Sequence, residues 1–213
     1  VKVRIKTPEN ITLVTAEQYA NAAITAGVTD AEIEVAAVSK VTGESALTGV
    51  YKAFEANGVQ LDAKRTEVAQ QELEVTNKIA QENANQKGFD SSKLDKAMIE
   101  IKKELAELKQ KQGQLATKED IERIINDALK NNSLQNVISK DQINALVAFA
   151  QNYQNTSAID SKQVLEQLNS LSKSVGEKIN SLVEQAKNEG WLDKIAQFFS
   201  SIFESIKNLF NQQ

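Results

Sequence analysis

Apolar and polar residues alternate in two short stretches near the start of the chain. Residues 1–6 alternate apolar with basic side chains, and residues 32–35 alternate acidic with apolar ones. This two-residue period predicts half-buried strands with one wet face. A further short strand is predicted over residues 11–14. Between these stretches, Thr15 and Gln18 form a capping-box pattern that predicts a helix over residues 16–26.

The order strand, helix, strand predicts a crossover between parallel strands. Lys2, Arg4 and Lys6 would form a row on the wet face of the first strand. This row favours a charged edge that resists aggregation over a binding stripe. Two or three strands make a small sheet, so we expect further strands upstream of Val1. The lack of a start methionine points to a cut N-terminus.

After residue 61 the apolar residues recur at helical spacing, and two stretches follow a heptad pattern. One seam runs over residues 94–115 and the other over residues 165–186. Lys102 and its charged neighbours are expected on the outside of the first seam. The simplest way to bury the apolar residues of both seams is to pack the two helices against each other in an antiparallel bundle. Self-association as a coiled coil is the competing prediction.

The last apolar stretch, residues 191–210, has a strongly one-sided helical pattern. Internal packing or self-association is favoured over an interfacial helix on a bilayer, because the basic residues on the polar face are balanced by acidic ones. As a candidate contact face we take its large apolar residues, Trp191, Ile195, Phe198, Phe199, Ile202, Phe203, Ile206 and Phe210.

Composition narrows the chemistry open to this chain. Its 213 residues contain no cysteine and no histidine, which removes disulfides, thiolate nucleophiles and histidine-based triads. The net charge of −4 and the interspersed basic residues argue against nucleic-acid binding. Carboxylate pairs, lysine chemistry and oxygen-ligated metals are the surviving options. We predict no cofactor, no metal site and no catalytic residue.

One weak anion-site candidate lies between the second strand and the following helix. Gly43 and Ser45 belong to a glycine-containing turn at a helix N-terminus, where backbone amides can hold an anion. The phosphate-loop pattern needs a lysine where Val50 stands. Packing and capping are therefore the favoured roles for this turn.

Four separate runs carry a resemblance to a known family. They are ITLVTAEQYANAAITAGV at 11–28, IEVAA at 33–37, VTGESALTGVYKAFE at 41–55 and ELEVT at 72–76. In this order they resemble the YpuA-like secreted protein family of Gram-positive bacteria, which contains domain of unknown function 1002. The resemblance implies an exported protein whose signal peptide has been removed. It brings no assigned activity and no catalytic residue.

The predicted fold class is α+β, with a small N-terminal mixed α/β domain before a predominantly helical, coiled-coil or bundle-like C-terminal region. Three segments are predicted: a mixed domain over 1–88, a helical bundle with two heptad seams over 89–190, and an amphipathic aromatic helix over 191–213.

We expect a secreted, non-enzymatic protein at the cell surface or outside the cell. It would act through self-association, a cell-envelope partner protein or another protein contact. The alternatives are membrane-surface binding through the last helix and a carboxylate-dependent hydrolase.

Overall fold

A computed structural model describes the backbone of residues 1–188 and the side chains up to residue 184. The chain divides into two compact units, Val1–Val175 and Gly176–Gln213. The predicted helix over residues 191–210, with its candidate contact face, lies outside the described residues.

A two-stranded parallel sheet stands at the beginning of the first unit. Strand β1 (Lys2–Ile5) pairs with β2 (Glu32–Val35), with Lys2 opposite Glu32 and Ile5 opposite Val35. Helix α1 (Ala16–Ala26) connects them. The parallel strand–helix–strand unit therefore agrees with the alternating pattern of both strands and with the helical signal between them.

The strand predicted over residues 11–14 is wrong except at one position. Ile11 forms an isolated parallel bridge with Val41, and the chain then turns into α1. The reason is local, because Thr15 caps the helix with its side chain and fixes the turn. Thr15 Oγ1 accepts from the Gln18 amide at 2.9 Å, and Gln18 Oε1 accepts from the Thr15 amide at 3.1 Å.

Within residues 1–188, six helices follow the sheet. Their bounds are α2 Glu44–Ala56, α3 Ala63–Asn83, α4 Ser91–Gln112, α5 Lys118–Asn131, α6 Lys140–Gln154 and α7 Lys162–Asn188. Asp90, Thr117 and Ser139 cap α4, α5 and α6, each accepting from a first-turn amide. A short 3-10 turn, Ser157–Asp160, precedes α7.

The first heptad seam becomes a wide buried face rather than a narrow stripe. Leu94, Met98, Ile101 and Leu105 are buried as expected, but Ala97, Ile99, Lys102 and Ala106 are buried with them. In the described part of the chain, α4 packs mainly against α5, α1, α6 and α3. The pairing of the two seams stays a prediction. A central helix contacts neighbours on several sides, so its buried arc exceeds that of a two-helix seam.

The second seam changes along α7. Leu168 and Val175 are fully buried, whereas Leu182 is 45% exposed and its neighbour Val183 is 48% exposed. The α+β fold class with a mostly helical C-terminal region is confirmed. Among the helices up to residue 188, none is long and apolar enough to cross a membrane.

Candidate functional site

A buried ionic cluster joins three helices in the first unit. Lys102 of α4 donates from Nζ to Glu72 Oε1 at 2.7 Å, to Thr25 Oγ1 at 3.0 Å and to the Asn21 carbonyl at 3.1 Å. Thr25 in turn donates to Glu72 Oε2 at 2.5 Å. An ammonium has three protons, so all of its donors are satisfied.

The cluster is closed to solvent. The side chain of Lys102 is 0% exposed and that of Glu72 is 2% exposed. The Tyr153 ring of α6 covers one side, with Lys102 Nζ 5.8 Å from its centroid. Arg65 of α3 approaches the same end of α1, donating from Nε to the Thr25 carbonyl at 2.8 Å and from Nη2 to the Ile24 carbonyl at 3.1 Å. These bonds satisfy carbonyls in the last turn of α1.

Burial perturbs the titrating groups here. Loss of hydration lowers the pKa of the Lys102 ammonium, and the charge and hydrogen bond of Glu72 oppose this in part. Burial, followed by the negative charge of Glu72, raises the pKa of the Tyr153 phenol. Perturbed pKa values often mark reactive sites, but structural ion pairs produce them too. A substrate would have to reach these atoms, and their burial keeps reagents out, so the cluster acts as a structural junction.

The sequence contains a signal for this cluster in the neighbours of Lys102. Lys102 has Met98 and Ile99 four and three positions before it, and Leu105 and Ala106 three and four positions after it. Those neighbours lie on the same side of a helix. All four are buried, so Lys102 lies inside and its expected position outside the seam is wrong. A lysine surrounded this way on a helix predicts a buried partner.

Gly43 serves close packing at the turn before α2. Its φ of 97° is left-handed, and an added Cβ would lie 2.6 Å from Tyr19 Oη and 2.9 Å from Val14 Cγ2. Tyr19 Oη donates to the Gly43 carbonyl at 2.5 Å. Burial, followed by the charge of Glu44, raises the pKa of Tyr19 to about 12.

The turn that holds the anion-site candidate already carries an acidic residue. Ser45 is exposed at the start of α2. Glu44 already places a negative charge in the first turn, where Asn77 Nδ2 donates to its Oε1. A carboxylate in the first turn complements the helix dipole and opposes a second anion there. Anion binding at Gly43 and Ser45 stays a prediction.

An open groove lies between β2 and α2. It has a volume of about 390 Å³ and is bounded on the strand side by residues 32–36. Its helix side consists of small or apolar residues, Ala46, Gly49, Val50, Ala53 and Phe54. Within α2 only Leu47 is fully buried, Ala46 and Tyr51 pack partly buried against the core, and Val50 and Phe54 are partly buried beside the groove. Within residues 1–184, no group of three or more acids is arranged to hold a metal ion.

Comparison with known proteins places the chain in a family. The model of the family described as "Protein of unknown function (DUF1002)" matches residues 1–171. The chain belongs to the DUF1002 family. A relative from Bacillus subtilis (strain 168), described as "Uncharacterized protein YpuA", is 34% identical over 205 residues.

That alignment covers 94% of this chain and 64% of the relative, so this DUF1002 chain spans less than two thirds of YpuA. The family resemblance drawn from the four sequence runs is confirmed. No solved structure matches the DUF1002 chain.

Proposed function

We propose that this protein acts by contact with a partner rather than by catalysis, with a second copy or a cell-envelope protein as its partner. The exposed apolar seam at the end of the described part of α7 is the observation that carries the proposal. Leu182 continues the heptad pattern, and it and Val183 are about half exposed. Exposed apolar side chains on a heptad repeat are typical of helices that associate.

The chemistry of the buried cluster supports the same proposal. A carboxylate hydrolase needs two acids of unlike environment that face a substrate. Glu72 faces Lys102 and Thr25 instead, and burial separates it from solvent. The carboxylate hydrolase therefore has less support than a contact function.

Membrane-surface contact through residues 191–210 is the alternative proposal. That stretch is apolar on one side and contains the single tryptophan of the sequence, which favours an interfacial helix. The balance of Lys194 and Lys207 by Asp193 and Glu204 disfavours attraction to anionic lipid. We further propose that the protein acts outside the cell or at the cell surface, since the YpuA-like resemblance implies export.

The test compares the full chain with two double variants of α7. Leu182→Ser/Val183→Ser removes the exposed apolar side chains, and Asn180→Ser/Ser181→Asn is the matched polar control. Sedimentation velocity over a range of concentrations measures self-association. Co-sedimentation measures binding to isolated Gram-positive cell envelopes and to vesicles of phosphatidylcholine with phosphatidylglycerol.

We expect the wild type and the polar control to self-associate or bind envelopes. The affinity of Leu182→Ser/Val183→Ser for the same partner should be about tenfold weaker. Binding to protein-free vesicles would favour the membrane alternative. A wild type that binds none of the three targets, or an apolar variant that behaves like the wild type, would contradict contact through this seam.

A further inference from the structure

Among the described residues, strand β2 is paired along one edge and unpaired along the other. The Lys2 amide donates to the Ala31 carbonyl at 2.9 Å and the Lys6 amide donates to the Val35 carbonyl at 2.8 Å. The backbone groups of residues 31, 33 and 35 therefore point towards β1. In an extended strand, successive residues direct their backbone groups to opposite edges.

The alternate residues of this stretch, Glu32, Glu34 and Ala36, consequently direct their N–H and C=O groups to the outer edge. All three are exposed. Their amides and carbonyls form no backbone hydrogen bond with other described residues. A row of unpaired N–H and C=O groups is a template for an added strand.

The groove beside this edge has an apolar wall. Ile33 and Val35 direct their side chains towards the core, and Val50 and Phe54 of α2 are half buried beside them. A strand that paired with the outer edge of β2 would occupy the groove under α2. Its inward side chains would then cover Val50 and Phe54, so apolar residues are required at alternate positions.

The solvent face of β2 determines which charge suits the outward-facing positions of an added strand. Glu32 and Glu34 project there, and β1 shows which residues suit them. Lys2 Nζ lies 3.9 Å from Glu32 Oε1, and Lys6 Nζ lies 3.5 Å from Glu34 Oε1. Opposite charges on neighbouring strands stabilise pairing. These pairs are largely exposed, so the carboxylates keep acceptor positions for a second basic neighbour.

We propose that β2 and α2 bind an extended segment of a partner protein in which apolar residues alternate with lysine or arginine, added to the sheet as a third strand. Main-chain hydrogen bonds supply the attraction, and the alternation supplies the specificity. This surface uses residues other than the α7 seam, so the two proposals fail independently.

Charge argues against a second copy as the occupant. Two β2 edges related by a two-fold axis would place Glu32 and Glu34 beside their own counterparts, and like charges across strands are destabilising. The outer edge of β1 is also less open, since it borders a groove lined by α7. There the Val1 ammonium donates to Gln167 Oε1 at 2.5 Å. Head-to-tail addition of β1 to β2 would have to displace this contact.

The experiment measures binding of short labelled peptides to the full chain by fluorescence anisotropy. The probe carries the sequence Val-Lys-Val-Arg-Ile-Lys of β1 between glycine–serine flanks, and the control peptide has glutamate at the three basic positions. We expect saturable binding of the basic peptide and binding at least about tenfold weaker for the acidic one. Amide hydrogen exchange at Glu32 and Glu34 should slow when the basic peptide is added.

Two pairs of variants locate the site. Val50→Asp introduces a charge into the apolar wall, and Thr48→Asp changes an exposed residue on another side of α2 as its control. Glu34→Lys reverses the edge charge, and Glu9→Lys reverses an exposed acid in the turn after β1. Val50→Asp should weaken binding of the basic peptide by about tenfold, and Glu34→Lys should shift the binding preference towards the acidic peptide. Circular dichroism shows whether each variant is folded.

Equal binding of both peptides, no binding of either, or identical behaviour of Val50→Asp and Thr48→Asp would overturn the proposal. Peptide binding without slower exchange at Glu32 and Glu34 would also overturn it, because attraction to the acidic face alone does not protect those amides. A wild-type dimer that Val50→Asp dissociates would identify a second copy as the occupant. Loss of α7 association alone leaves these results unchanged.

Discussion

Removing the negative charge of Glu72 should destabilise the protein far more than removing an exposed charge on the same helix. In Glu72→Gln the Lys102 ammonium stays buried with Thr25 and the Asn21 carbonyl but without a counter-charge. Breaking one partner of a buried ion pair costs about 3–5 kcal/mol. Small domains are stable by about 5–15 kcal/mol, so this is a large share of the total.

The converse change, Lys102→Met, leaves the Glu72 carboxylate buried with Thr25 as its remaining donor. We expect a cost of the same size, about 3–5 kcal/mol. The double variant Glu72→Gln/Lys102→Met contains neither buried charge. Its remaining loss in the free energy of unfolding comes from imperfectly paired polar groups and should be about 1–3 kcal/mol. The double variant should therefore be much more stable than the sum of the single variants predicts.

Urea unfolding followed by circular dichroism measures these free energies, since the described fold is mostly helical. The control is Glu74→Gln, two residues away on α3, where the exposed carboxylate accepts only from Gln70 among the described residues. Its effect should be within about 0.5 kcal/mol. Equal losses in Glu72→Gln and Glu74→Gln, or strictly additive losses in the double variant, would refute the reasoning.

Three further predictions concern capping and close packing. Gly43→Ala should cost more in urea unfolding than Gly58→Ala, because both positions have positive φ but only Gly43 lacks space for a Cβ; equal costs would contradict this. Tyr19 should ionise near pH 12 in an ultraviolet titration, and its contribution to stability, complete below the ordinary pKa of 10.0, should fall as pH rises towards 12. A Tyr19→Phe variant that keeps this transition would exclude the assignment. Asp120, whose pKa is lowered by hydrogen bonding from Thr117, should titrate below its ordinary 3.8 by NMR, and its stabilisation should disappear as pH falls through that lower value; titration at or above 3.8 would contradict this.

Much of the local structure follows from the sequence, because capping and alternation depend on neighbours within a few residues. Thr15 caps α1 as predicted, and Thr117 and Ser139 cap α5 and α6 with the same local pattern. The strand over 11–14 failed since pairing depends on a distant partner, and only Ile11 meets Val41. The candidate site divides in the same way: the turn at Gly43 was visible in the sequence, but the Tyr19 hydroxyl that fills its space was not.

The sequence alone determined where helices start, which stretches alternate, and to which family the chain belongs. Only the tertiary structure decided that Lys102 lies inside, that α4 packs on several helices, and that no other described residue pairs with the outer edge of β2. Short-range patterns specify which residues are apolar neighbours along one helix or strand. The partner that covers each face comes from elsewhere in the chain, and its identity depends on how all the elements pack together.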